Sequence, residues 1–222
     1  MTSKRTSALI TGYSLLLMAV IAGFALGYAY PAFNSMNQLD VATMLVSEHR
    51  ILYMLMLVAM IMIAVLDVIV SWTLFQYFKD ENHPLSLIAS LLRVVYTILF
   101  GWAIFFLFKN ISQETDYASM RHHFSSFETI WSTGLMVFGA HLFAVAMLMR
   151  QHQRIPSWIW NLTLIAGVSY FAIHLIKLTL PGSEKLIDNL NKILGLPMAL
   201  GEICLALWLV VKGGRPDAKS AS

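Results

Sequence analysis

The chain has 222 residues, 58% of them hydrophobic and 12% charged, with a mean hydropathy of +0.69. That balance excludes an ordinary water-soluble domain and points to an integral membrane protein. The formal charge of +3 is small and scattered among loop ends, which excludes a nucleic-acid surface. Because apolar runs and short connectors fill the sequence, residues 1–222 are read as a single transmembrane domain with the lipid bilayer as its partner.

Apolar windows of about 20 residues, enough to cross roughly 30 Å of hydrocarbon, recur about six times. The first covers residues 8–30. It follows "SKR" and ends in small residues near Gly27 and Ala29, as a secretory leader does, but its run exceeds a usual leader core and is read as a retained span. Its "GFALG" segment carries a small-xxx-small pattern suited to close packing inside the bundle. A long connector, "PAFNSMNQLDVATMLVSEHR", follows, with Leu39, Met44 and Val46 suggesting a short amphipathic helix. The second window, 51–78, is longer than the bilayer requires and is expected to tilt or protrude. The third, 85–108, begins at Pro84 after the tight connector "KDENHP", and the fourth covers 127–149. "RQHQRIP" leads through Pro156 into the fifth, 158–180, and "PGSEKLIDNLNKIL" precedes the sixth, 194–211. Backbone satisfaction in lipid permits helices and excludes open sheets, so the predicted fold is all-α, a polytopic bundle of about six spans.

With an even number of spans, Lys4, Arg5, Lys79, Arg150, Arg154, Lys212, Arg215 and Lys219 share one side, and Arg50, Lys109, Arg121, Lys185 and Lys192 the other. The richer side is expected to be cytoplasmic, with both termini on it. The sole cysteine, Cys204, can form no intramolecular disulfide, and the thirteen methionines read as adaptable filling between helices.

The ionisable residues inside the windows are Asp67, Arg93, His141, His174, Lys177 and Glu202. A charge at bilayer depth costs several kcal/mol, so each should face inward toward a partner. At about 1.5 Å rise per residue, Asp67, Arg93 and His141 fall within roughly 6 to 12 Å of one face and Glu202 near mid-membrane. Arg93 is therefore expected to pair with Asp67 and reach Glu202, with His141 beside it. Such a group either fixes helix packing or forms the polar floor of a ligand pocket. Small residues share stripes with these positions, as in Gly195, Ala199, Glu202 and Ala206, in Gly134, His141 and Ala144, and in Gly167 and His174 beside Phe171.

His174 and Lys177, one turn apart near the end of the fifth span, offer a secondary contact for an anion or lipid headgroup; snorkelling of Lys177 is the plainer role. Trp131, Trp158 and Trp160 read as interfacial belt residues, whereas Trp72, Trp102 and Trp208 lie deeper, in the core or along a cavity. A bis-histidine haem fails because His141 and His174 differ in depth by on the order of 10 Å. Glu48, His49, His122, His123 and Glu128 are weak metal candidates on the opposite face. Their spacing matches no ligand motif, and solvated loops or headgroup contacts explain them better, so no metal or cofactor is expected. No nucleotide-binding loop, nucleophile elbow, HExxH helix or CxxC pair is present.

The run "LMVFGAHLFAVAMLMRQHQRIPSWIWNLTLIAGVSYF", followed by "LPMALGEICLALWLVVKG", resembles bacterial membrane proteins of domain-of-unknown-function family 4386. "LDVIVSWTLFQYF" and "ASLLRVVYTIL" are similar to that family's Asp-bearing second span and Arg-bearing third. The resemblance covers essentially the whole chain. It implies a compact multi-helix protein of the bacterial cytoplasmic membrane, with recurring polar positions at Asp67, Arg93, His141 and Glu202, and it implies no activity. The resulting expectation is an intramembrane cavity that binds a small amphiphile, lipid or hydrophobic ligand on these four side chains. The alternatives are an intramembrane enzyme, with or without a metal, and a non-catalytic assembly or immunity-type membrane protein. Oligomerisation is left open by the sequence.

Overall fold

A computed structural model describes residues 3–34, 49–111 and 117–215. Six helices long and apolar enough to cross a membrane occur among them: α1 Lys4–Asn34, α2 Arg50–Phe78, α3 His83–Ile111, α4 Tyr117–Gln151, α5 Ser157–Thr179 and α6 Glu184–Val211. The described residues contain no strand. The protein is thus an all-α, multi-pass membrane bundle, with the six expected spans in the expected order.

Local chemistry sets several boundaries. Ser3 caps α1 by accepting from the Thr6 N–H, and Asn82 caps α3 by accepting from the Leu85 N–H, with Pro84 in the first turn, where its missing N–H costs nothing. The helices exceed their apolar windows mainly at polar ends. Residues 117–126 and 184–193, read from sequence as connector, are the first turns of α4 and α6. The hydrophobic window measures what lies in lipid, and helical hydrogen bonding continues beyond it. "PAFN" likewise continues α1, while the amphipathic helix expected around Leu39, Met44 and Val46 lies outside the described residues.

Each helix packs chiefly on its sequence neighbours, and α6 returns to α1, which closes the six into a ring. On α3, Leu87, Leu91, Val95, Ile98, Trp102 and Phe105 form an exposed apolar stripe, while Ser86, Ala89, Arg93, Tyr96, Phe100 and Leu107 are buried on the other face. This polarity is the reverse of a soluble helix and fits lipid outside with a mixed core inside. Trp72 and Trp102 accordingly point outward, at 61% and 57% exposed, against the sequence expectation that they lie in the core or a cavity; only Trp208 of that set is buried. A single side chain's direction depends on its place around the helix, which depth along a window does not report.

A close helix crossing joins α4 to α5. A Cβ on Gly139 would stand 2.6 Å from the Gly167 carbonyl oxygen, and one on Gly167 would stand 2.8 Å from that of Gly139. Only glycine lets the two backbones meet so closely. "GFALG" plays no such part, since Gly23 and Gly27 are exposed and a Cβ on either meets nothing closer than 4.0 Å. Instead Ala25–Ala29 forms a π-turn, in which the Tyr30 N–H reaches the Ala25 carbonyl and Ala25 and Ala29 face the core. The wider turn shifts the register of the last residues so that Tyr30 and Phe33 enter the bundle. On α6 the expected small-residue stripe is offset. Ala199 is exposed and Gly195 has open space, whereas Gly201 would bring a Cβ within 2.9 Å of Ala166 on α5.

Two apolar clusters fill the ring. One gathers Tyr30, Phe33, Tyr53, Phe100 and Phe127, and the other Ala8, Tyr77, Phe78, Val145 and Leu209. Between these groups, nearer the helix ends at Phe78, His83, Gln151 and Val211 than the opposite ends, sits a polar layer.

Candidate functional site

Arg93 projects from the buried stripe of α3 and is 1% exposed. A guanidinium cannot shed its charge at accessible pH, so its burial requires acceptors. Its Nε donates to Asp67 Oδ1 on α2 at 2.8 Å, and its Nη2 stands 2.7 Å from the same oxygen. Both nitrogens converge on one carboxylate oxygen instead of forking over two. Nη2 therefore gains Coulomb attraction without a directed hydrogen bond, and it has no other partner. Nη1 donates across the ring to Glu202 Oε1 on α6 at 2.8 Å and lies 3.1 Å from His141 Nε2 on α4.

The histidine tautomer follows from its second contact. His141 Nδ1 is 2.8 Å from the Ala89 carbonyl oxygen, which can only accept, so Nδ1 carries the proton. Nε2 then offers its lone pair to Arg93. The imidazole is neutral, and two carboxylates surround one guanidinium. With both acids ionised the centre carries one negative charge in excess.

Aromatic rings cover this centre. The Arg93 guanidinium carbon lies 5.4 Å from the Phe138 ring centroid, and Phe138 in turn stacks on His141 at 5.7 Å and meets Tyr170 edge-on at 5.3 Å. Tyr96 adds a tilted ring at 4.9 Å from Phe138. Hydroxyls stitch the helices nearby: Ser71 and Ser90 join α2 to α3 at 2.8 Å, and Thr163 of α5 donates to the Gly201 carbonyl, next to Glu202, at 3.1 Å. Sequence reasoning missed the aromatic cover. Tyr96 and Phe138 each stand three residues from an ionisable member of the centre, which places them on its face and was the available signal.

The structure thus brings together Asp67, Arg93, His141 and Glu202 from four helices. Burial is uneven. The side chains of Arg93 and Asp67 are 1% and 2% exposed, whereas that of Glu202 is 23% exposed. Pockets of about 530, 300 and 310 Å³ among the described residues are lined by other residues.

The remaining candidates do not join this centre. Lys177 Nζ lies 3.5 Å from Glu128 Oε2, bridging α5 to α4, and His174 stacks on Tyr170 at 6.3 Å with its Nδ1 buried and unpartnered. Glu128 also accepts from Asn34 Nδ2 at 2.6 Å and from the Tyr30 hydroxyl at 3.2 Å. This anchors the end of α1, a packing role. His123 Nδ1 pairs with Asn110 Oδ1 at 2.6 Å, and His122 stands beside it on α4. Among the described residues, which include His49, His122, His123 and Glu128, no three His, Cys, Asp or Glu side chains gather as a group that could hold a metal; Glu48 lies outside the described residues. Cys204 is a half-buried free thiol.

Comparison with known proteins finds a family and a relative. An uncharacterized protein from Archaeoglobus fulgidus is 29% identical over 92 residues, covering 41% of this chain and 51% of the archaeal one, so the match spans about half that relative's length. No solved structure matches the chain. A family model described as Domain of unknown function (DUF4386) matches residues 10–213, which reaches all six described helices and takes in all four members of the polar centre, and the chain belongs to that family.

Proposed function

We propose that this protein binds a small amphiphile within the bilayer, with the ligand's polar head at Glu202. The observation that carries the reading is the open edge of an otherwise sealed centre: Glu202 keeps 23% of its side chain accessible while its partner Arg93 keeps 1%. The excess negative charge suits a cationic amine or a strong hydrogen-bond donor, which would complete the neutralisation that Arg93 alone leaves unfinished. The lipid-facing apolar walls suit the remainder of such a molecule. The role is binding, with no bond-making step assigned.

Native mass spectrometry of gently extracted protein tests this. The native chain should retain an amphiphile bearing an amine or donor head, and Glu202→Gln should lose it while remaining folded. Retention unchanged in Glu202→Gln, or no bound amphiphile on the native chain, overturns the reading. In a second reading the centre only fixes helix packing in a non-catalytic assembly protein. The mutual satisfaction of Arg93, Asp67 and His141 favours that role for those three side chains.

We infer that the membrane is a bacterial cytoplasmic membrane, with the face carrying Lys4, Arg5, Lys79, Arg150, Arg154 and Lys212 inside. A carboxy-terminal fluorescent protein that matures only in the cytoplasm should glow. Active periplasmic phosphatase at the same position would reverse the orientation.

A further inference from the structure

A second polar region lies at the face where the start of α1 meets the end of α6. Gly213 and Gly214 run directly over the first turns of α1: a Cβ on Gly213 would stand 2.8 Å from Ala8 Cβ, and one on Gly214, at φ +65°, would stand 2.6 Å from the Arg5 backbone nitrogen. Arg5 fastens this junction by donating to the carbonyls of Leu209, Val210 and Gly213 at 2.7 to 3.2 Å. Beside the junction opens a pocket of about 530 Å³, a size that suits a small ligand or headgroup.

The lining of this pocket is unbalanced in charge. Among the described residues its cations are Lys4, Arg154, Lys212 and Arg215 and its one acid is Glu81, which is engaged by Lys4 Nζ at 3.0 Å and His152 Nε2 at 3.7 Å, while Arg154 donates to the Arg215 carbonyl at 2.6 Å. Lys212 and Arg215 are exposed at the rim. The wall adds donors. The Trp208 indole Nε1, which can only donate, is buried without an acceptor. His152 Nδ1 lies 3.4 Å from the Arg154 backbone N–H, leaving Nε2 as the protonated nitrogen of a neutral ring. Tyr77 stacks on His152 at 5.8 Å and Trp208 meets that ring edge-on at 5.6 Å, which holds the wall rigid. The exposed Lys212 and Arg215, a carboxylate already engaged and the unpartnered Trp208 donor suit an anion with several acceptor oxygens.

The geometry points to a phosphate-binding site here, one that takes the phosphate of an anionic lipid headgroup or of a soluble phosphate ester. It is separate from the Glu202 centre, whose excess charge is of opposite sign.

The test uses the full chain in detergent and the rim double substitution Lys212→Gln with Arg215→Gln, which touches exposed side chains only. Native mass spectrometry should show phosphatidylglycerol retained over phosphatidylcholine, with affinity falling about five-fold per lost charge and about 25-fold in the double variant. If phosphatidylglycerol shows no preference but glycerol 3-phosphate or inorganic phosphate raises the melting temperature of the native chain and not of the variant, the soluble source is correct. Neither probe binding better than phosphatidylcholine, or binding that is equal in the variant, overturns the site. Glu81→Gln, which removes the competing carboxylate, should strengthen binding of whichever probe succeeds; weakened binding in that variant also counts against it.

Discussion

The two polar regions of this bundle obey opposite rules. In the central layer both acids bond to one guanidinium, and Arg93, Asp67 and His141 are nearly inaccessible. At the α1–α6 junction Lys212 and Arg215 stand exposed at the rim of a pocket whose described lining holds four cations and one acid. The contrast follows from solvation. Low-dielectric surroundings tolerate a charge only when geometry neutralises it, whereas water lets an excess of one sign persist. Charges that complete each other hold a fold together, and charges left over are available to a ligand. Glu202 stands between these cases, being paired to Arg93 but open on one side.

The comparison breaks most sharply at Arg93. Arg93→Gln strands Asp67 as a buried unpaired carboxylate and should destabilise the bundle by about 3–5 kcal/mol. That loss would appear as a large drop in detergent unfolding midpoint. Replacing Arg93, Asp67 and Glu202 together by Met, Leu and Leu should recover much of it. If Arg93→Gln is silent, the central layer does not hold the fold.

Gly139→Ala comes next. Its methyl would meet backbone atoms of α5 that cannot swing aside, so a cost of about 1–3 kcal/mol is expected, with Gly23→Ala nearly neutral as the control. Equal effects at both sites would show that the close crossing is not the seam of the bundle.

The smallest effect concerns pH at the wet end. Burial, which outweighs the attraction of Glu81, holds the His152 imidazole below its ordinary pKa. The unfolded chain therefore binds this proton more readily than the folded one, so stability is full above the unfolded histidine value of about 6.5 and declines as pH falls below it. Thermal melts between pH 7.5 and 5 should show this decline, and His152→Gln should flatten it slightly. A steeper decline in that variant would mean that another group carries the dependence.

Much of the central layer was legible in the sequence because bilayer physics makes ionisable residues conspicuous. Asp67, Arg93, His141 and Glu202 stand out against apolar runs, and helical rise alone places them at compatible depths. The junction pocket was harder to see. Glu81 and His152 lie in short connectors that resemble ordinary solvated loops, Trp208 resembles core, and nothing along the chain says that the end of α6 lies over the start of α1. The reading that placed Trp72 and Trp102 in the interior failed for a related reason. Depth is a property of sequence position, but facing depends on which side of each helix its neighbours occupy.

Hydrophobic length and polar scarcity therefore determined the class, the number of spans and the identity of the interior charges, because these depend on transfer from water to lipid residue by residue. Tertiary structure alone decided the ring closure of α6 on α1, the glycine crossing of α4 and α5, the converging geometry at Asp67 and the open edge at Glu202. Each of these depends on the rotation of one helix against another, set by contacts between residues far apart in the chain.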